Sequence, residues 1–501
     1  MQISEPSPKG NASPLIGVLL LIGGSFSLAF GQGHWPSGSL VICGVALSAR
    51  FFDHTRPLIA LPVFVVAHVL VWEWSYAGMV PLPVFARIAM ECGISLVLSL
   101  IFVLSRWTTI SWGSVASTLV LPCGWVMFDL LTARFSPGGS WGSIAYSFAD
   151  SIVVSQTASV LGWTGLVFFA VWLGSLLNWT TTRWLHDKAE ARKGILLSIL
   201  LVAAVCSLGV GRILTAPSAP KSRVACVIPP NIFNAQSIDA VWAYTRGVER
   251  PASSVASAQS RIEESLEEHF IYVERAADSG AQLIVWPEAN PVITAAEESW
   301  WLQRAQEVAR GRGIYIGMGM VVYHPESGAP ASNKFVLVDP AGEVTIDFLK
   351  ATRVPGTNHA KGDGVLPVVA SPLGRITTAI CFDLDFPHLI RQAGSKGTDV
   401  LLAPSNDWDE AAETHARMAR LRAIEQGVAM IRPTKDGVTT MVDSSGRMIG
   451  KLQLKNNEEG MLIAELPTAG RRTIYSAIGD SFGWACAVVF LILLYRAKTS
   501  T

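Results

Sequence analysis

Long apolar segments dominate this chain and restrict the folds that are open to it. Seven follow one another in the first part of the sequence and an eighth closes it, at roughly 14–30, 38–52, 57–74, 84–105, 113–133, 157–179, 194–214 and 475–495. A helix needs about 20 apolar residues to cross the hydrocarbon core of a bilayer. Only 16% of the residues are charged, against about 25% in soluble proteins. The pattern predicts a multi-span α-helical membrane protein with about eight transmembrane helices, the second being the shortest.

Positively charged residues are distributed asymmetrically around these segments. If the N terminus is cytoplasmic, the short outside loops carry only Arg134, whereas the inside segments carry Lys9, Arg50, Arg56, Arg106, Arg183, Lys188, Arg192, Lys193, Arg496 and Lys498. Loops rich in Lys and Arg stay on the cytoplasmic side. The long polar region at about 220–472 is therefore predicted to lie on the extracytoplasmic side.

One charged pair falls inside a predicted span. Arg87 and Glu91 are four residues apart near the outer end of the fourth span. We expect them to neutralise each other as neighbours on one helix face. Lining a substrate path is the alternative.

Residues 220–472 have a different pattern, in which short β-rich runs alternate with helical stretches. AQLIVWPE at 281–288 is an example of a β-rich run, and the stretch near 256–278 is an example of a helical one. Strands interleaved with helices predict a layered α/β domain. We therefore expect a membrane domain of about seven helices (1–219), this α/β domain, and a final transmembrane helix with a short cytoplasmic tail (473–501).

Three ionisable residues occupy similar positions in the α/β domain. Glu288, Lys350 and Cys381 end the apolar runs LIVWPE, TIDFLK and ITTAIC. Loops at the carboxyl ends of strands converge on a common site in α/β folds. There a carboxylate can take the proton of a thiol, and an ammonium group can stabilise an oxyanion. Each residue also has an ordinary explanation, since strand-end Glu and Lys are usually solvated and a strand-end Cys usually belongs to the core.

The cysteines give no indication of a metal site or a disulfide framework. The chain has seven of them, without a CxxC pair or a regular spacing. Cys226 lies in the first predicted strand and is expected in the core. Basic and acidic residues number 39 each, so net charge does not indicate a nucleic-acid partner. We expect no metal, no cofactor and no nucleic acid.

The motifs around the three strand-end residues resemble a known superfamily. LIVWPEA around Glu288, Lys350 about sixty residues later, and ICFDLDFP around Cys381 about thirty residues after that are similar to the nitrilase, or carbon–nitrogen hydrolase, superfamily. SNDW (405–408), HARMARLRAIEQG and RPTKDGVT, with the eight-span arrangement, resemble its membrane branch, the bacterial apolipoprotein N-acyltransferases. The resemblance implies a nitrilase-type α-β-β-α domain on the extracytoplasmic side of the bacterial inner membrane.

The resemblance also implies a reaction and a role for each residue. Glu288 would be the general base for Cys381, and Lys350 would stabilise the oxyanion. Cys381 would attack an ester of a phospholipid, such as phosphatidylethanolamine, and form a thioester. The acyl chain would then pass to the N-terminal amine of a diacylglyceryl-modified prolipoprotein. Both substrates are amphiphiles, which explains a membrane-embedded enzyme, and nothing requires more than a monomer.

Further residues are candidates for the wall of this site. Asn406 and Trp408 follow a predicted strand, and Phe382 and Asp383 follow the nucleophile, where the family usually has Tyr-Glu. The family also has a VPFGE-type run after its lysine, with the Glu in the active site. This chain reads RVPGTNHAKGDG there, and His359 either substitutes for that Glu or is a loop histidine without a role.

A helix with several cations follows SNDW. Its cationic residues lie at helical spacing and are His415, Arg417, Arg420 and Arg422. Such a face is usually solvated, and binding of phosphate head groups is the alternative.

Two other functions remain open from the sequence. CFDLDFP also resembles soluble nitrilase-like amidases, which favours a membrane-anchored amidase in which water resolves the acyl-enzyme. The altered loop after Lys350 also permits a catalytically degenerate member, in which Cys381 is no more reactive than any buried thiol.

Overall fold

A computed structural model describes residues 14–33, 36–216, 220–230, 235–248, 251–455 and 458–500. The chain forms two compact units. The membrane unit comprises the described parts of Met1–Phe135, Ser140–Arg212 and Asp480–Thr501, and the α/β unit comprises Ser136–Gly139 and the described parts of Ile213–Gly479.

The α-helices of both units, in chain order, are α1 (Pro14–Gln32), α2 (Gly38–His54), α3 (Pro57–Ser75), α4 (Val84–Trp112), α5 (Val120–Phe135), α6 (Ala158–Arg183), α7 (Lys188–Leu214), α8 (Ala235–Thr245), α9 (Ala252–Asp278), α10 (Ala295–Arg312), α11 (Pro387–Ser395), α12 (Asp409–Gln426), α13 (Ile474–Ile478) and α14 (Ser481–Ser500).

Six helices in the described part of the chain are long and apolar enough to cross a bilayer. They are Pro57–Ser75, Val84–Trp112, Val115–Phe135, Val154–Arg183, Lys188–Leu214 and Ser481–Thr499. The first helix contributes a shorter apolar segment, Leu15–Ala29, and α2 has 17 residues. These helices agree with a multi-span membrane protein, and the count of about eight spans stays a prediction.

The last predicted span begins later than its apolar run suggests. Residues 474–478 form the separate short helix α13, and α14 begins at Ser481. Gly479 lies between them with φ 60° and ψ −139°. This backbone conformation is open to glycine and ends a helix, so the apolar run from 475 is divided.

The expected pair of Arg87 and Glu91 is not formed. Arg87 instead donates to Glu73 on α3, from Nη2 to Oε2 at 2.7 Å and from Nε to Oε1 at 3.1 Å. The planar guanidinium matches a carboxylate in this two-bond geometry, which a partner on the neighbouring helix can provide. Glu91 is buried within the membrane unit.

The strands of the α/β unit are β1 (Lys221–Ile228), β2 (Leu283–Val285), β3 (Val292–Thr294), β4 (Tyr315–His324), β5 (Ala329–Val338), β6 (Val344–Leu349), β7 (Val369–Ser371), β8 (Gly374–Thr378), β9 (Val400–Leu402), β10 (Ser405–Asn406), β11 (Ala429–Arg432), β12 (Thr434–Lys435), β13 (Val438–Val442), β14 (Met448–Gln453) and β15 (Gly460–Pro467).

These strands form two mixed sheets and one small one. The first sheet has the order β15-β1-β2-β4-β5-β6, with β3 beside β4, and the second has the order β14-β13-β11-β9-β8-β7. Strands β1, β2 and β4 are parallel, as are β8, β9 and β11, whereas the outer strands are antiparallel. β10 and β12 pair separately in parallel.

Helices cover the two large sheets. α9 and α10 pack against the first sheet, and α12 packs against the second. β4 buries every residue from Tyr315 to Val322, and burial of both faces is typical of strands in the middle layers of a fold. This layered α/β arrangement agrees with the nitrilase-type domain expected from the sequence.

Aromatic side chains fill the core beside the first sheet. Trp286 and Trp301 are both fully buried, with ring centroids 6.1 Å apart and nearly perpendicular planes. Such edge-to-face pairs suit the quadrupoles of aromatic rings. Cys226, in β1, is also fully buried, which confirms its expected place in the core.

Candidate active site

The loops that follow three strands bring Glu288, Lys350 and Cys381 together. Glu288 follows β2 by three residues, Lys350 follows β6 directly, and Cys381 follows β8 by three residues. Lys350 Nζ donates to Glu288 Oε1 at 2.6 Å, with side chains only 4% and 6% exposed. The structure thus places a buried ion pair beside the thiol.

Asn333 is a further member of this cluster that the sequence analysis missed. It lies on β5, is buried, and donates from Nδ2 to Glu288 Oε1 at 2.6 Å. The sequence gives little indication of this role, because a single asparagine in a strand such as SNKFVLV is common. Among the described residues both donors to Glu288 bind Oε1, which leaves Oε2 to accept a proton from a third group.

Cys381 is held in an uncommon backbone conformation. Its φ is 45°, in the left-handed region that residues with a Cβ rarely adopt and that is concentrated at functional sites. Its N–H donates to Pro404 O at 3.0 Å, and its Sγ lies 3.7 Å from Asn406 O. Two backbone carbonyls that follow β9 therefore hold the turn at Cys381–Asp385 in place.

Electrostatics keeps the resting thiol protonated. Burial raises the pKa of Cys381 well above its usual value, the charge of Glu288 raises it further, and Lys350 lowers it only in part. Burial alone would lower the pKa of Lys350, but the charge of Glu288 raises it above its usual value. The site therefore holds a neutral thiol and an ammonium at neutral pH, and the thiol needs a base before it can attack.

Asp383 joins the turn at Cys381–Asp385 to the loop that follows Lys350. Its Oδ1 accepts the N–H of Thr352 at 2.8 Å and also the Thr352 hydroxyl. Its Oδ2 accepts the N–H of Ile380 at 3.0 Å and that of Ala351 at 3.4 Å. The side chain is fully buried, and we expect it to position the two loops rather than to contact substrate.

We expect Asp383→Asn to lower the thermal midpoint of the protein. Each carboxylate oxygen accepts an N–H, and an amide can replace only one of them, so one buried N–H loses its acceptor at about 1–3 kcal/mol. Scanning fluorimetry in detergent measures the effect. Thr352→Val removes only the hydroxyl contact and is the milder control. Equal midpoints for Asp383→Asn and wild type would contradict the positioning role.

The other predicted wall residues lie nearby in different settings. Phe382 is half-buried and packs edge-on against Phe386, with centroids 5.3 Å apart. Asn406 is half-buried, and its backbone carbonyl oxygen contacts the Cys381 thiol. Trp408 is half-buried with its ring 5.8 Å from that of His415. Whether these side chains contact substrate stays a prediction.

His359 lies close to the ion pair. It forms a β-bridge with Ala331, two residues before Asn333 on β5. Burial and the charge of Lys350 lower its pKa, while Glu288 raises it in part. The loop that follows Lys350 thus returns to the first sheet and brings His359 to the side of the site.

The expectation of a solvated cationic face on α12 is wrong for two of its four residues. His415 is buried, and its Nδ1 lies 2.8 Å from Asp407 Oδ1. Arg422 is fully buried against Glu425 at 2.5 Å. Packing of α12 against the second sheet covers this face, which helical spacing alone does not reveal.

Asp407 lies at the centre of a buried charged network with His415 and Arg432. Arg432 donates from Nη2 to its Oδ2 at 2.7 Å, and both side chains are almost fully buried. Burial favours the neutral carboxyl, but Arg432 and His415 outweigh it and lower the pKa of Asp407 to about 2. In the sequence Asp407 stands out only as part of SNDW. Its partner Arg432 ends β11, 25 residues further along the chain.

Two family models match the two units. Residues 252–475 match the carbon–nitrogen hydrolase model, and residues 22–176 match the apolipoprotein N-acyltransferase N-terminal domain. In fold, an amidase from Nesterenkonia sp. overlaps 51% of this chain and 94% of its own, with a TM-score of 0.38 and 19% identity.

Curated relatives span most of the chain. Proteins named apolipoprotein N-acyltransferase are 26% identical in Haemophilus influenzae (76% of this chain and 74% of that protein), 24% in Bradyrhizobium diazoefficiens (83% and 80%), and 26% in Rhodopseudomonas palustris (85% and 82%). Together with the two domain matches, these relatives show that the chain belongs to the apolipoprotein N-acyltransferase family of the nitrilase superfamily.

Proposed function

We propose that this protein transfers a fatty acyl chain from a phospholipid to the N-terminal amine of a diacylglyceryl-modified lipoprotein, through a thioester on Cys381. Its family supports lipoprotein N-acylation. The observation that carries the mechanism is the buried contact of Lys350 with Glu288 beside the protonated thiol. This arrangement supplies a nucleophile, a base and a cation at one place.

The first half-reaction uses all three groups. Glu288 takes the proton of Cys381, and the thiolate attacks the ester carbonyl of the phospholipid. The Lys350 ammonium stabilises the oxyanion of the tetrahedral intermediate. When the ester C–O bond breaks, Glu288 returns its proton to the departing glycerol oxygen, and a lysophospholipid leaves.

The second half-reaction restores the enzyme. The neutral lipoprotein amine attacks the thioester, and Lys350 again faces the oxyanion. The C–S bond breaks, and the amine proton passes through Glu288 to the departing thiolate. The products are an amide and the free Cys381 thiol, so the cycle needs no other reactant.

We also propose the setting in which this reaction takes place. The positive-inside pattern of the short loops supports eight spans in the bacterial inner membrane, with residues 220–472 as an extracytoplasmic catalytic domain. Both substrates present their reactive groups at a membrane surface, so a membrane-embedded monomer can meet them by lateral diffusion.

Intact mass spectrometry of the purified protein with phosphatidylethanolamine tests the thioester. We expect a hydroxylamine-labile adduct of fatty-acyl mass on the wild type and none on Cys381→Ala. Cys226→Ala, which removes a core thiol of the same unit, is the matched control and should keep the adduct.

Addition of a diacylglyceryl lipopeptide then identifies the acyl acceptor. We expect the adduct to disappear as N-acylated lipopeptide forms. Release of free fatty acid at the same rate without lipopeptide would favour a hydrolase. A wild type without any adduct, under conditions that label another family member, would contradict the proposed mechanism.

A further inference from the structure

A cavity of about 500 Å³ opens on the α/β unit beside the candidate active site. Arg246, His324 and His359 contribute to its lining, together with Tyr323 and Thr357. None of its described lining residues is acidic. The cavity therefore offers cations and hydrogen-bond donors without a carboxylate to neutralise them.

The backbone connects this cavity to the catalytic residues. Its lining includes Ala331 and His359, which form a β-bridge. Asn333, two residues after Ala331 and so on the same face of β5, donates to Glu288. The loop that carries His359 returns to Lys350, where Gly362 N–H donates to Lys350 O at 2.9 Å. A molecule in the cavity would thus lie next to the ion pair.

Arg246 is the strongest anion-binding group of the cavity. Its guanidinium lies 4.8 Å from the ring centroid of Trp242, and stacking on a ring leaves the N–H edge of a guanidinium open. Arg246 is exposed, and it makes no ion pair with any of the described residues. Its planar fork of donors matches two phosphate oxygens.

His324 differs from His359 in being already engaged. Its Nε2 lies 2.9 Å from Ser332 Oγ, whereas the ring of His359 makes no hydrogen bond to the described residues. His359 therefore remains available to a ligand on the side of the cavity that meets the site.

We propose that this cavity binds the phosphodiester head group of the acyl donor, with Arg246 as the principal phosphate ligand and His359 between the phosphate and the catalytic residues. The inference rests on the proposed function and adds how the donor is recognised. A phospholipid held there by its phosphate presents the nearby glycerol ester to Cys381.

The test compares two acyl donors that differ only in the head group. Acylation of Cys381 by phosphatidylethanolamine and by diacylglycerol of the same chains is followed by intact mass in wild type, Arg246→Gln and Arg310→Gln. Arg310 is an exposed arginine of α10 outside the cavity and is the matched control. We expect Arg246→Gln to lower kcat/KM with phosphatidylethanolamine about tenfold, mainly through a higher KM. A tenfold loss is the size expected when one hydrogen bond between charged groups is removed.

The reaction with diacylglycerol shows whether the variant enzyme is intact. We expect its rate to be unchanged in Arg246→Gln, since that donor has no phosphate. An equal loss with both donors, or no loss with either, would overturn the head-group site. A wild type that forms no adduct with either donor would instead refute the thioester mechanism itself.

Competition separates a lipid head group from a free anion. We expect soluble glycerophosphoethanolamine to slow acylation of the wild type by phosphatidylethanolamine and to have much less effect on Arg246→Gln. If inorganic phosphate at the same concentration competes equally well, the cavity is a general anion site and the head-group assignment fails. If only the later transfer to lipopeptide is slowed in Arg246→Gln, the cavity serves the acceptor and the proposal is wrong.

Discussion

Replacement of Glu288 by Gln is expected to slow acylation of Cys381 by about 10³-fold, within the range for loss of a general base. The amide oxygen can still accept from Lys350 and Asn333, so the hydrogen bonds to Oε1 can persist. The amide cannot take the thiol proton. Because the pKa of Cys381 is raised well above its usual value, very little thiolate forms without a base.

Single-turnover acylation by phosphatidylethanolamine, followed by intact mass, measures this effect. Glu298→Gln makes the same chemical change at a partly exposed carboxylate that pairs with Lys334 at 2.8 Å, and should acylate at the wild-type rate. Thermal midpoints of both variants show whether the fold is retained. A Glu288→Gln enzyme within tenfold of wild type would contradict the role of Glu288 as the base.

Replacement of Arg432 by Met is expected to destabilise the α/β unit more than any surface change. Asp407 and Arg432 are almost fully buried and bonded at 2.7 Å. Removal of one partner leaves a buried charge uncompensated, at about 3–5 kcal/mol. A unit of this size shifts its midpoint by about 2–4 °C per kcal/mol, so we expect a decrease of about 10 °C by scanning fluorimetry in detergent.

Lys451→Met is the control for this loss of charge. Lys451 pairs with Glu413 at 2.7 Å, but both side chains are about 40% exposed, at 44% and 38%. Exposed pairs contribute at most about 1 kcal/mol, so this midpoint should change little. Similar shifts in the two variants would show that the buried pair contributes no more than an exposed one.

The pH dependence of the Arg432 effect follows from the pKa of Asp407. The pKa is lowered to about 2 in the folded protein, so the pair stabilises the fold above the unfolded pKa of about 4. That stabilisation is lost as the pH falls through the folded pKa. We therefore expect the difference between wild type and Arg432→Met to be full at neutral pH and to shrink below about pH 4. A difference that does not change between pH 7 and pH 3 would contradict this linkage.

The spans and the three strand-end residues could be predicted from the sequence because their signals are local. A membrane-spanning helix can be predicted from the length of an apolar run. Six helices in the described part of the chain are long and apolar enough to span a bilayer. Glu288, Lys350 and Cys381 each stand where a strand ends, and loops at the carboxyl ends of strands form the sites of α/β folds. β2 and β6 run in the same direction in the first sheet, and β8 belongs to the second. The resemblance of the surrounding motifs then suggested the roles that we propose for them.

The partners of the charged side chains could not be predicted in this way. Arg87 bonds Glu73 on the preceding helix rather than Glu91 on its own. Asn333 on β5 bonds Glu288, which follows β2, although β4 lies between these two strands in the sheet. Asp383, expected in the wall, is fully buried between two loops. In each case the partner is chosen by which elements pack side by side, and that choice leaves no periodic pattern in the residues themselves.

The charged face of α12 shows most clearly the difference between what the sequence predicts and what only the tertiary structure decides. Helical spacing correctly indicates that His415 and Arg422 belong to a charged helix, but says nothing about what covers it. Only the packing of α12 against the second sheet buries both side chains and places His415 against Asp407. The partner of Arg422 is Glu425, three residues further along the same helix. Local chemistry determines where helices, strands and reactive residues occur along this chain. Burial, and the ion pairs of Arg87, Lys350 and Arg432, are decided by contacts between different segments of the chain, because only the folded packing removes those groups from water.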